Sequence, residues 1–166
     1  MSGLEHLWAT WRARYVKEEA GRAPDSLFED IERAEMPDDE SYIVWRGETC
    51  FSLLNIYPYC SGHLLVLPKR AVTELDDLSE EEHSELWTTV RAAVAAIKSA
   101  YAPEGVNVGM NLGRSAGAGI TGHLHVHCLP RWSGDTNFMT AIANTRVLPE
   151  ELAESWRKLR DAWPEI

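Results

Sequence analysis

His123, His125 and His127 alternate with apolar residues in the run Gly122-His123-Leu124-His125-Val126-His127-Cys128-Leu129-Pro130. This is the tightest constraint the chain places on its own fold. Strict alternation predicts a β-strand, because successive strand side chains point to opposite faces. The three imidazoles then share one face, while Leu124, Val126 and Cys128 take the other. The stretch Gly113-Arg114-Ser115-Ala116-Gly117-Ala118-Gly119-Ile120-Thr121-Gly122 leads straight into that strand. Its four glycines exceed what a single tight turn requires. Backbone N–H groups in such a loop can cradle anionic oxygens. An imidazole beside them can attack, or donate or accept a proton, near neutral pH. The juxtaposition points to phosphate chemistry.

The rest of the chain supplies a sheet for that strand. Leu4, Leu7, Trp8, Trp11 and Tyr15 stand at helical spacing, so a helix is expected over 4–17, within an N-terminal helical segment at 4–20. Residues 21–40 are polar, hold Pro24, Pro37 and Asp38-Asp39-Glu40, and read as a surface connection. Tyr42-Ile43-Val44-Trp45 and Cys50-Phe51-Ser52-Leu53-Leu54-Asn55 flank Arg46-Gly47-Glu48-Thr49, which predicts a hairpin. Gly62-His63-Leu64-Leu65-Val66-Leu67-Pro68 reads as a third strand, ended by its proline. Ser79-Glu80-Glu81-Glu82 is a capping box that opens a helix over 79–101. Leu86, Val90, Val94, Ile97 and Tyr101 form its apolar stripe, and Pro103 and Gly105 stop it. Val106, Val108 and Met110 alternate with Asn107, Gly109 and Asn111 in a strand over 106–112. Pro149 opens a C-terminal helix over 149–163, with Leu152, Trp156, Leu159 and Trp163 on one face. The expected fold class is α+β: an antiparallel sheet of about five strands, a long helix packed on it and helices at both termini. A doubly wound fold needs several helical crossovers, and at most one long helical connection is visible.

Composition narrows the partners. A chain of 166 residues fits a single domain over 1–166, with its core at about 40–140. The net charge of −10 argues against a nucleic-acid partner, which needs a basic footprint. A small polyanion stays admissible if Arg114, Arg131, backbone N–H groups and protonated histidine offset it locally. No apolar stretch is long enough to span a bilayer, so no membrane partner is expected. The N-terminus lacks the basic and apolar regions of a secretory signal. Cys50, Cys60 and Cys128 show no Cys-x-x-Cys spacing and fit reduced thiols in the cytoplasm. Cys128 points away from the His face and reads as a core residue.

Two chemistries compete for the His row. Imidazoles at i and i+2 on a strand can chelate zinc. The Cα atoms of His123 and His127, however, stand roughly 13 Å apart at the rise of a strand, so three converge on one ion only with strain. Two can bind, with His63 the obvious further ligand, since His6 and His83 fall in helical contexts. Nucleophilic catalysis uses the row more naturally. His125 attacks phosphorus, and its flanking partners bind oxygens that gain charge or pass a proton to the leaving group. The intermediate is a phosphoramidate, a covalent nucleotidyl-histidine, which splits one hard displacement into two easier ones.

His123-Leu124-His125-Val126-His127-Cys128-Leu129 resembles the histidine triad signature, His-φ-His-φ-His-φ-φ with φ apolar. Phe51-Ser52-Leu53-Leu54-Asn55 with Gly62-His63-Leu64-Leu65-Val66-Leu67-Pro68 is similar to that family's nucleotide-binding half-site. Asn111-Leu112-Gly113 with Ala116-Gly117-Ala118-Gly119-Ile120 is similar to its phosphate loop. Arg131-Trp132-Ser133-Gly134-Asp135-Thr136-Asn137-Phe138-Met139 resembles the tail of bacterial and actinobacterial members, several of them described as diadenosine tetraphosphate phosphorylases or hydrolases. Leu7-Trp8-Ala9-Thr10-Trp11-Arg12 resembles their opening, so the likeness spans residues 4–139.

The resemblance implies a half-barrel α+β unit and a homodimer with a continuous sheet across its interface. It implies that His125 is the nucleophile on an α-phosphate, with His123 and His127 orienting it and contacting phosphate oxygens. Leu53 and Leu65 then lie near the base, Asn55 holds the ribose and His63 supports the triad from the neighbouring strand. Asn111 and the backbone around Gly117, Gly119 and Thr121 bind phosphates. Ser115 and Trp132 are further nucleotide-binding candidates. Three of these residues also have plainer readings: Asn55 as a turn former, Trp132 as core or dimer packing, and the glycines as a tight turn. No metal or other cofactor is expected, although the substrate can arrive as a magnesium complex.

Two departures from the family pattern stand out. Many bacterial relatives carry a Cys-x-x-Cys zinc pair where this chain has Ser26-Leu27-Phe28-Glu29, so no structural zinc is expected. Phosphorylase-type members can carry Gly-Ser where this chain has Ala118-Gly119, which removes one hydroxyl donor for an acceptor phosphate. The resulting expectation is an enzyme cleaving dinucleoside polyphosphates of the diadenosine tetraphosphate type, with water or inorganic phosphate as acceptor. The alternatives are a nucleoside phosphoramidate or adenylated-adduct hydrolase, a non-catalytic nucleotide-binding module, and a zinc hydrolase.

Overall fold

A computed structural model describes residues 27–34, 36–135 and 148–166. The helix expected over 4–17 and the tail motif beyond Asp135 lie outside the described residues. The described elements run α1 (Leu27–Arg33), α2 (Asp38–Ser41), β1 (Ile43–Arg46), β2 (Cys50–Leu54), β3 (Leu64–Pro68), α3 (Glu80–Tyr101), β4 (Gly105–Met110), β5 (Val126–Arg131) and α4 (Leu152–Asp161).

The five strands form one antiparallel sheet in the order β1-β2-β3-β5-β4. Direct cross-strand partners share a face. The row Ile43, Leu53, Leu65, His127 and Gly109 therefore crosses the whole sheet on one side. The opposite side carries Leu54, Leu64, Val66, Val126 and Cys128, which pack with Leu86, Val90, Ala93 and Ile97 of α3 and Leu159 of α4. Burying each large side chain of this layer stabilises the fold by about 1.5–3 kcal/mol. Every residue of β2 and β3 is buried, because both faces of these strands are covered.

The hairpin, the capping box and the long helix are all present as expected. Ser79 Oγ accepts the Glu82 N–H at 3.1 Å and the Glu82 carboxylate accepts the Ser79 N–H at 2.8 Å. These reciprocal bonds satisfy donors that every helix start leaves open. Glu85 of α3 also reaches the hairpin turn, where it accepts the Glu48 N–H at 2.8 Å and the Thr49 N–H at 2.6 Å. A Cβ on Gly47 would meet the Glu85 carboxylate at 2.0 Å, so this clamp needs glycine there. At the C-terminus Trp156 Nε1–H donates to the Ile43 carbonyl at 2.8 Å, and Trp163 stacks on Trp45 at 5.9 Å.

Two expectations need correction. The region 21–40 is not simply a connection: it holds α1 and α2. Its polar average hides Leu27, Phe28 and Ile31, whose i, i+1, i+4 spacing gives one turn an apolar side. That side closes over the His face, joining Phe28 and Ile31 to Leu53 and Leu65. Glu29 accepts the Ala71 N–H at 2.7 Å, and Glu32 pairs with Arg46 and Lys69 at 3.4 Å each, fastening α1 to the sheet. The second correction concerns the His strand. Its ladder begins only at Val126, so His123 and His125 precede it. Pro68 lacks an N–H with which to extend the ladder. Leu124 turns instead to the Val72 carbonyl at 2.7 Å.

Candidate active site

The His face and α1 enclose a partly open cavity. Its floor is Leu53, Leu65, His125 and His127. Leu27, Phe28 and Ile31 form the roof. One side is the β2–β3 connection, with Asn55, Ile56, Tyr57 and Tyr59, and the other is Asn111, Gly119 and Ile120. Apolar side chains beside two imidazoles suit a flat heterocycle attached to a charged chain.

Hydrogen-bond partners fix the proton on each imidazole. A carbonyl can only accept, so His125 Nδ1, 2.8 Å from the His123 carbonyl, carries the hydrogen. The lone pair of neutral His125 is left on Nε2. His123 Nε2 likewise donates to the Pro68 carbonyl at 2.7 Å. Burial pulls the pKa of His125 below the ordinary histidine value, and the bond to the His123 carbonyl offsets this only in part. Burial lowers His123 as well, against upward pulls from the Pro68 carbonyl and from Glu29. Both rings are therefore held toward the neutral form, which a nucleophile needs.

The His127 ring stands 4.9 Å from that of His125, nearly perpendicular to it. Its Nδ1 lies 2.9 Å from Nε2 of His63. Among the described residues no group of three or more His, Cys, Asp or Glu is arranged to hold a metal ion. Leu27-Phe28-Glu29 forms the first turn of α1. Cys128 is buried in the opposite layer, and its thiol is pushed up to about 12 by that burial.

Of the residues singled out in the sequence, the cavity gathers Leu53, Asn55, Leu65, Asn111, Gly119, His125 and His127. His63 sits directly behind His127. His123 is 1% exposed beneath Phe28, so it supports the site without lining it. Ser115, Gly117 and Thr121 are exposed and stand outside the lining. Gly117 takes φ 97°, a left-handed turn position that glycine meets without strain. Trp132 lies off the cavity, edge-on to Tyr101 at 6.2 Å. Asn55 is on the wall, and its Oδ1 accepts the Tyr57 N–H at 2.9 Å, the turn-forming bond its residue type favours. His83 is exposed on α3.

Sequence reasoning missed Phe28 and Ile31, whose helical spacing was the available signal. It also missed Tyr57 and Tyr59 on the cavity wall.

Comparison with known proteins agrees with this geometry. The HIT domain family model matches residues 37–134. The AP-4-A phosphorylase of Mycobacterium tuberculosis is 40% identical over 167 residues, covering 96% of this chain and 85% of that protein. The asymmetrical bis(5'-nucleosyl)-tetraphosphatase of Schizosaccharomyces pombe is 35% identical over 95 residues, 57% of this chain and 52% of that protein. Among solved structures, a hypothetical histidine triad nucleotide-binding protein from Sulfolobus tokodaii superposes with a TM-score of 0.65 at 31% identity, covering 81% of this chain and 89% of that one. A triad beside a partly open cavity, a five-stranded antiparallel sheet and a matching stretch that holds both lead to one conclusion: the chain belongs to the HIT domain family.

Proposed function

We propose that this protein is an enzyme that cleaves dinucleoside polyphosphates of the diadenosine tetraphosphate type through a covalent nucleotidyl-His125 intermediate. One observation carries the reading: the His123 carbonyl takes the Nδ1 hydrogen of His125, leaving the Nε2 lone pair of a ring that faces the cavity. That lone pair forms an N–P bond to the α-phosphorus. The P–O bond to the rest of the chain breaks, and its electron pair leaves on the polyphosphate oxygen. Water or inorganic phosphate then attacks phosphorus, the N–P bond breaks and His125 is restored. Leu53, Leu65, Phe28 and Ile31 hold the base of the attacked nucleotide between floor and roof. Asn111 and the backbone at Gly119 face its phosphates. The names of the mycobacterial and fission-yeast relatives support this substrate class.

The mechanism uses no resident metal, and the substrate can bring magnesium with it. The working unit is a homodimer joined along β4, whose only strand partner among the described residues is β5. No helix among the described residues is long and apolar enough to cross a membrane, in keeping with a cytoplasmic enzyme. Product analysis of the purified protein on diadenosine tetraphosphate, with and without inorganic phosphate, tests the function. ADP plus ATP in the presence of phosphate indicates phosphorolysis, and AMP plus ATP indicates asymmetric hydrolysis. No cleavage under either condition contradicts the reading.

A further inference from the structure

Glu29 is a buried carboxylate with no part in the reaction above: it is 8% exposed, on the first turn of α1. Its Oε1 accepts the Ala71 N–H at 2.7 Å. Ala71 follows the end of β3, where the Lys69 N–H bonds to the Thr49 carbonyl at 2.7 Å and the chain leaves the sheet. From there the backbone grips the His run at two points. The Pro68 carbonyl accepts the His123 Nε2 hydrogen at 2.7 Å, and the Val72 carbonyl accepts the Leu124 N–H at 2.7 Å. The second grip bears directly on the nucleophile. The Leu124 N–H and the His123 carbonyl belong to one planar peptide group. That carbonyl accepts the Nδ1 hydrogen of His125 at 2.8 Å. The bonds thus run in series from the Glu29 carboxylate, through the backbone at Ala71 and Val72 and then the peptide of His123 and Leu124, to the His125 ring. Bonds in such a chain polarise one another, so a change at one is felt at the next.

We infer that Glu29 is a positioning residue for the nucleophile: by fixing Ala71 and Val72 it sets the peptide plane that aims His125 Nε2 at phosphorus. The inference rests on the dinucleotide reading and adds a residue to it. The role demands reach rather than charge. A carboxylate or an amide oxygen at this distance can accept the Ala71 N–H. An oxygen one methylene shorter cannot meet it unless α1 moves inward. Phe28, its neighbour on α1, already stands 5.6 Å from the rings of both His123 and His125 and resists that movement. The other tie of α1, from Glu32 to Arg46 and Lys69 at 3.4 Å each, does not pass through Ala71. Loss of the Glu29 bond therefore disturbs the aim of His125 more than the roof over the base. The ion pair of Glu29 with Arg33, at 3.3 Å and 66% exposed on the arginine side, contributes little to either.

The test uses the full chain and two variants that separate reach from charge. Glu29→Gln keeps the reach and loses the charge, and Glu29→Asp keeps the charge and loses the reach. On diadenosine tetraphosphate, Glu29→Gln is expected to hold kcat within about threefold of the native value. Glu29→Asp is expected to lower kcat by about tenfold or more with a smaller change in KM, the scale on which a slightly misplaced catalytic group is felt. Equal kcat in all three proteins overturns the inference. So does a loss of about tenfold in Glu29→Gln, even if Glu29→Asp does not fold. A second readout needs no turnover. In proton NMR spectra the His125 Nδ1–H and the Leu124 N–H are expected to exchange with water about tenfold faster in Glu29→Asp, as when a bond to a charged acceptor is lost. In Glu29→Gln both stay close to their native rates. Native exchange at both positions in Glu29→Asp overturns the inference. A native chain that cleaves no dinucleotide sinks the dinucleotide reading alone, because the exchange rates still decide whether Glu29 holds His125.

Discussion

The ring of Phe28 lies 5.6 Å from that of His125 and equally far from that of His123. A seven-residue helix thus places one aromatic over both the attacking imidazole and the ring behind it. Phe28 is only 6% exposed. Phe28→Ala opens the roof and removes a buried ring, so stability falls by about 3 kcal/mol. Nucleotide affinity falls too, because one wall of the base site is gone. Urea unfolding and calorimetric titration with a non-hydrolysable nucleotide check the two effects. Unchanged affinity in a folded variant would remove Phe28 from the base site.

The pH profile follows from the direction of the His125 shift. Burial disfavours its cation, so the folded pKa lies below the ordinary histidine value of about 6.5. Attack requires the neutral ring. The acid limb of kcat/KM is therefore expected below pH 6.5, with activity full above that point. His123 shifts the same way for the same cause. Between the folded and unfolded pKa values the unfolded chain binds more protons, so stability falls as pH drops through that window and is flat above it. Initial-rate measurements and denaturant midpoints across the acid range check both statements.

Much of this was legible in the sequence because local rules and tertiary context agree. Ser79 and Glu82 satisfy each other whatever surrounds them, and the alternation at Val106–Met110 suits only a strand. The triad was readable as a row, yet not its unequal burial: His123 lies under Phe28 because of a helix more than ninety positions earlier in the chain. That helix was obscured because one apolar turn is diluted by Glu29, Asp30, Glu32 and Arg33. Asn55 was readable as a turn former, which it is. The Tyr59 N–H reaches His63 Nδ1 at 3.1 Å, a direction that no residue pattern encodes. Trp132 had two readings in the sequence, and its contact with Tyr101 favours packing.

Val108 on β4 is 43% exposed and carries no charge to discourage pairing with another edge. If β4 forms the dimer interface, Val108→Lys shifts the protein toward monomer by setting like charges near the two-fold axis. Analytical ultracentrifugation is expected to show a dimer for the native chain and a smaller species for the variant. A native monomer would contradict the proposed assembly.

The capping box lies on the far side of the sheet from the triad. Ser79→Ala removes a bond that Glu82 N–H makes at 3.1 Å, and a loss of about 1 kcal/mol is expected. KM for the nucleotide stays at its native value. A thermal shift beside steady-state kinetics separates stability from function.

Rapid quench of the enzyme with diadenosine tetraphosphate, followed by peptide mass spectrometry, tests the central claim most directly. The expected result is a single acid-labile nucleotidyl adduct on the peptide that holds His125, formed and consumed at rates that match turnover. His125→Ala is expected to bind nucleotide, form no adduct and show no turnover. An adduct on another residue, or turnover that survives loss of His125, would contradict the account.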